Sequence, residues 1–143
     1  MKRFCLIILC GTVALGFLAQ SALALPQFKK EFTKKYVDTS SNEDFKAAAK
    51  KASCNVCHVK KEKKSVNNDY GTELSKLIEG SAKNRLAAAK DEDKAKGEDV
   101  TAASDAEKAK LTKELLAAFE KVEGMKSKSG KTYGELIKSG NLP

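Results

Sequence analysis

The sequence predicts an all-α protein, and three observations carry that expectation. Three signatures of the S/T-x-x-D/E kind, Ser41 to Asp44, Ser104 to Glu107 and Thr132 to Glu135, each open a run whose apolar residues recur at helical spacing. No segment alternates apolar and polar residues with the period of two that a half-buried strand requires. Between Pro26 and Pro143 there is no proline to interrupt a helix.

Taken in order, the chain starts with Lys2 and Arg3, an apolar run from Phe4 to Leu18, and Ala22-Leu23-Ala24 in an A-x-A arrangement. These are the three parts of a secretory signal peptide over residues 1–24, cleaved after Ala24. The apolar run falls short of the ~20 residues that a membrane span needs, and no later segment approaches that length. The expectation is a periplasmic or secreted protein with no membrane span in its mature part.

Residues 25–40 form an N-terminal arm or short helix, with Phe28, Phe32, Tyr36 and Val37 on one side. The next helix begins at the Ser41–Asp44 box, carries Phe45, Ala48, Ala49 and Ala52 on one face, and leads the chain to Cys54. Asn67 and Asn68 can cap a helix bearing Tyr70, Leu74, Leu77 and Ile78, which Gly80 ends. Residues 83–90 are helix-prone. Residues 91–99 hold five acids, two lysines and no large apolar side chain, and read as a solvated connection. Ser104 then opens the clearest stripe, Leu111, Leu115, Ala118, Phe119 and Val122, stopped by Gly124. A last short helix from Thr132 carries Tyr133, Leu136 and Ile137 and ends at Gly140. Residues 41–143 are thus one domain.

Composition narrows the function. The 143-residue chain carries a net charge of +8; without the signal segment 25 basic side chains face 19 acidic ones, a net +6. One arginine remains, Arg85, and the aromatics are not interleaved with the lysine runs, which argues against a nucleic-acid partner and for acidic proteins or anionic surfaces. Only 42 of the 119 mature residues are apolar, little for a self-sufficient core, so an apolar ligand is expected to complete it. Cys5 and Cys10 leave with the signal, and Cys54 and Cys57 alone make no disulfide framework.

Those two cysteines stand in "CNVCH", followed at once by His58, the one histidine of the chain. Structural zinc takes four Cys or His ligands, and three are present. A redox C-x-x-C belongs at the start of a helix in a thioredoxin-like fold, and here the pair follows a helix where no strands are expected. The remaining reading uses all three residues, because C-x-x-C-H is the attachment signal of c-type haem. Each thiol adds across one vinyl group to form a thioether. Two intervening residues let both sulfurs reach one porphyrin edge and bring His58 beneath the iron as proximal ligand. Its other ring nitrogen is expected to donate to a backbone carbonyl. One covalent haem c is the expected cofactor, packed against the stripes headed by Phe45, Leu74 and Leu115.

"CNVCH" set early in an exported helical domain resembles the monohaem class I c-type cytochromes. The resemblance rests strongly on the motif and more loosely on the helical layout. Lys46 and Lys50 stand where that family usually has a small residue and an aromatic, and Val59-Lys60-Lys61 continues the chain where a proline is common. It implies a small cytochrome c-like domain wrapped around one haem, a monomer that carries single electrons between periplasmic partners and is not an enzyme. It also implies a sixth iron ligand in a late loop, where Met125 lies 67 residues after His58. Failing Met125, Tyr70, a lysine, water or nothing faces the iron. A five-coordinate site makes the alternative a protein that binds a small gas as sensor or scavenger. A peroxidase needs a distal acid-base residue, and no second histidine exists to provide it. Lys60, Lys61, Lys63 and Lys64 are expected beside the haem edge, where they would steer acidic redox proteins or membrane-bound redox complexes into brief encounters.

Overall fold

The computed structural model describes residues 26–96 and 102–143; the signal segment proposed for residues 1–24 lies outside them. Among these described residues six α-helices follow one another: α1 Pro26–Phe32, α2 Glu43–Ala52, α3 Asp69–Lys76, α4 Ala82–Lys96, α5 Ala102–Glu123 and α6 Tyr133–Lys138. A π-helical turn, Thr33–Val37, extends α1, and a 3₁₀ turn, Ser53–Val56, extends α2. Among the described residues there is no strand, only isolated bridges between His58 and Asn67 and between Lys126 and Thr132. The fold is all-α, and among the described residues no helix is long and apolar enough to cross a membrane.

The longest helix, α5, is the spine, against which α1, α3, α4 and α6 pack. Leu111, Leu115 and Val122 are fully excluded from solvent, with Ala118 and Phe119 nearly so, as the i, i+4, i+7, i+8, i+11 spacing demands. Around Phe119 stands an aromatic cluster. Phe32 meets Tyr36 at 5.0 Å, Phe119 at 6.1 Å and Tyr70 at 6.2 Å between ring centroids, and Tyr70 meets Tyr133 at 5.2 Å. All of these but Phe32–Tyr36, together with Tyr36 on Phe119 at 5.5 Å, are edge-on, the arrangement that the ring quadrupole favours. Six aromatics therefore draw α1, α2, α3, α5 and α6 into one core when Phe45, wholly buried, is counted.

The helix boundaries show local chemistry at work and correct three expectations. The cap of α2 is Asn42 rather than Ser41: its Oδ1 accepts from the Phe45 N–H at 3.0 Å, while Ser40 Oγ accepts from Asn42 itself. Asn68 caps α3, and Thr132 with Glu135 forms a complete capping box at α6. Of the acidic stretch expected as a connection, residues 91–96 are helix, since α4 runs through Asp91, Glu92 and Asp93 to Lys96, and residues 97–99 lie outside the described residues. Asp93 is 2% exposed because its carboxylate accepts from the N–H groups of Ala103 and Ser104, capping α5 from a neighbouring helix. Ser104 consequently lies inside α5 instead of opening it.

Arg85 ties α4 to α5. Its Nη1 and Nη2 donate to the two Glu114 oxygens at 2.7 and 2.8 Å, and its Nε donates to Glu107 at 2.6 Å. A planar guanidinium makes this fork and an ammonium does not. The Arg85 hydrogen bond holds the Glu114 carboxyl below its ordinary value of 4.5. A depressed carboxylate stabilises the fold above its unfolded pKa and ceases to as pH falls through the folded one. Arg85→Gln is expected to cost about 1–2 kcal/mol at pH 7. In urea melts the gap to the parent should narrow as pH drops below 4.5, and a gap that holds constant into acid would refute the pairing.

Candidate functional site

The site begins where α2 ends. Ser53 closes that helix with φ 52° and ψ −119°, a backbone conformation that L-residues rarely adopt and that costs on the order of 1–3 kcal/mol. It redirects the chain into the 3₁₀ turn. There the Cys54 carbonyl accepts from the N–H groups of both Cys57, at 3.3 Å, and His58, at 3.2 Å. This closes "CNVCH" into one compact turn.

A second bracket holds the turn from the other side. The Asn68 N–H donates to the Cys57 carbonyl at 3.0 Å, and its side-chain amide donates to the Val56 carbonyl at 2.8 Å. The same side chain accepts from the Gly71 N–H at 2.8 Å to cap α3. Gly71 lies so close that a Cβ there would stand 2.0 Å from the Cys57 carbonyl oxygen. Glycine is needed for contact between helix and turn, which explains its place near the start of a helix, a position where it otherwise costs about 1 kcal/mol. Between the turn and α3, Val59 N–H donates to the Val66 carbonyl at 3.0 Å, closing a loop that carries Lys60, Lys61, Lys63 and Lys64, all exposed. Lys64 folds back to donate to Asn55 Oδ1 at 2.9 Å, so the lysine loop lies against the cysteine turn.

Cys54, Cys57 and His58 together line one wall of a cavity of about 620 Å³. That volume lies within the ~300–1,000 Å³ of pockets that hold cofactors and small molecules. Phe28 and Phe32 of α1, Ala49 of α2, Leu74 and Ile78 at α3, and Phe119 of α5 supply apolar walls. Of the residues expected to pack on a ligand, Leu74 does line the cavity, while Phe45 and Leu115 are wholly buried in the core outside its wall.

His58 is 5% exposed, and its Nδ1 has no hydrogen-bond partner among the described residues. The Nδ1 hydrogen bond to a backbone carbonyl expected from the sequence is not formed, although the Val66 carbonyl acts on the ring. Burial first, and then the charge of Lys64, lower its pKa against the opposing pull of Val66 and Asn67. The neutral ring so favoured is the form that ligates a metal. Burial, with Cys54 adding, pushes the Cys57 thiol up to about 12. A dithiol catalyst needs the reverse shift. Neither cysteine is in a disulfide, and among the described residues no three His, Cys, Asp or Glu side chains converge as on a bare metal ion.

Met125 stands apart from these residues. Its N–H donates to Val122 at the end of α5, its carbonyl accepts from Tyr133, and its side chain packs half-buried on the core, outside the cavity wall. Tyr70 is also outside the wall, 1% exposed between Phe32 and Tyr133 with its hydroxyl unpartnered among the described residues. Sequence reasoning missed Lys29, Lys50 and Lys83, which do line the cavity, and missed Gly71. Only Gly71 left a signal, as a glycine three residues inside a capped helix. Comparison of the chain with protein-family models, curated proteins and solved structures gave no match.

Two substitutions test the bracket. Gly71→Ala should destabilise by about 3 kcal/mol in a denaturant melt, because backbone rather than a flexible side chain meets the new methyl. Asn68→Asp keeps the cap on Gly71 and loses the donor to Val56, so faster amide exchange at Cys57 and His58 with α3 intact is expected.

Proposed function

We propose that this chain is an exported monohaem c-type protein that carries single electrons between partners outside the cytoplasmic membrane. The observation that carries the reading is the convergence of Cys54, Cys57 and His58 on one wall of an apolar cavity large enough for a cofactor. The fit is chemical as well as spatial. The two thiols would hold haem through thioethers, and the buried neutral imidazole offers a nitrogen to iron. Phe28, Phe32, Leu74, Ile78 and Phe119 would exclude water from the ring faces. When bound, haem supplies a one-electron iron couple whose potential responds to ligand, burial and nearby charge.

Electron carriage further needs an edge open to partners. Cys54 is half-buried and adjoins Asn55, on which the exposed lysine loop rests, so a cofactor attached there would have an edge close to that loop. The four exposed lysines lie beside it, with Lys64 on Asn55 within the motif itself. Such a patch favours acidic redox proteins and makes encounters salt-sensitive. The likeness to class I cytochromes supports the same reading through its motif, and periplasmic export supports it through the signal-like residues 1–24.

A second reading draws on the position of Met125. With that side chain outside the cavity wall, an iron bound by His58 has an apolar far side, which suits a protein binding nitric oxide or carbon monoxide. Optical spectra of the reduced periplasmic protein with and without carbon monoxide separate the two. A carrier leaves the reduced spectrum unchanged by the gas; rapid binding at neutral pH would sink it in favour of the gas-binding protein. On the gas-binding reading Met125→Ala leaves spectrum and potential as in the parent; on the carrier reading with Met125 as sixth ligand it displaces the potential and opens the iron to carbon monoxide.

A further inference from the structure

Three lysines from three different helices reach the cavity: Lys29 from α1, Lys50 from α2 and Lys83 from the first turn of α4. All three are exposed, none has an ion-pair partner among the described residues, and no Asp or Glu lines the cavity with them. Some helical lysines elsewhere pair locally, as Lys46 does with Glu43, Lys76 with Glu73 and Lys108 with Asp105, so what sets these three apart is the cavity they share and the absence of any acid from its lining. Cations left unpaired around an apolar cavity repel one another, and a ligand that brings negative charge to the mouth relieves that repulsion. The N-terminal residues Ala82 and Lys83 of the 15-residue α4 also line the cavity, adding the positive end of a helix to the same mouth.

We infer that Lys29, Lys50 and Lys83 form a carboxylate-binding rim, so that the cavity takes an amphipathic ligand with an apolar body and anionic groups along one edge. The inference rests on the haem reading, and there it assigns the rim to the two propionate groups of the porphyrin. His58 and the cysteines then hold the ring and the three lysines set which edge faces out. Charge-assisted hydrogen bonds from ammonium to carboxylate are the interaction, stronger than neutral ones.

The test uses two probes on the mature chain without attached haem: protoporphyrin IX and its dimethyl ester, in which both carboxylates are blocked. Binding is read by quenching of tyrosine fluorescence. The free acid should bind roughly tenfold tighter than the ester, the discrimination expected of a charge-assisted hydrogen bond. The triple variant Lys29→Gln, Lys50→Gln, Lys83→Gln should erase that difference and leave ester binding unchanged. Equal affinity for acid and ester in the parent would overturn the rim while leaving the porphyrin cavity standing. Failure of both probes to bind would overturn the two together. Acetylation of the exported haem-loaded protein gives a measure free of variants: Lys29, Lys50 and Lys83 should react several-fold more slowly than Lys61 and Lys63. Equal rates in a chain that carries haem would overturn the rim.

Discussion

The contact between the Cys57 carbonyl and the first turn of α3 decides how everything around it is placed. One backbone hydrogen bond from Asn68 and the missing side chain of Gly71 bring a helix flush against a turn. Because α3 also packs on α5, the turn is referred through it to the spine of the molecule. The three side chains of "CNVCH" are therefore held at the cavity by a rigid element, although the segment that bears them is neither helix nor strand along its length. The lysine loop follows from the same contact, since its two ends leave from His58 and return at Asn67, directly before the cap. Strain at Ser53 belongs with it: an unfavourable dihedral pair persists where packing on both sides fixes the path of the chain.

A chain with so few apolar residues concentrates them. The α5 stripe and the aromatic cluster around Phe119 account for most of the core, and polar ties hold the periphery: the Arg85 fork, the Asp93 cap and Tyr36 donating to Glu123 at 2.6 Å. The cavity lies beside this core, sharing Phe32, Leu74 and Phe119 with it. A ligand seated there would extend the core and stabilise the folded state by mass action.

What was legible in the sequence was whatever depends on near neighbours. Helical stripes and the Thr132–Glu135 box follow from spacings of three and four residues, and α5 and α6 form as those spacings require. The motif at Cys54 was legible for the same reason, five consecutive residues bearing one chemistry. What was not legible depends on partners far along the chain. Asp93 in an acidic run looks solvated until α5 folds back to present its N–H groups, and Lys29, Lys50 and Lys83 look like ordinary surface charge until three helices meet. Met125 has the residue type and sequence position of an iron ligand; that its backbone is held between Val122 and Tyr133, with its side chain on the core and outside the cavity lining, depends on contacts no spacing displays. Asn42 taking the cap from Ser41 is a one-residue shift of the kind that capping signatures cannot resolve when suitable residues adjoin.

The central claim is that Cys54 and Cys57 hold a covalent haem above His58, and the intact mass of the chain tests it most directly. Produced in a bacterial host that exports proteins and matures c-type cytochromes, the purified protein should have the mass of its mature chain plus one haem, retained through acid denaturation. The increment should disappear when both cysteines are replaced by serine. A mass equal to the bare chain, or two hydrogens lighter because the cysteines have joined in a disulfide, would contradict the account.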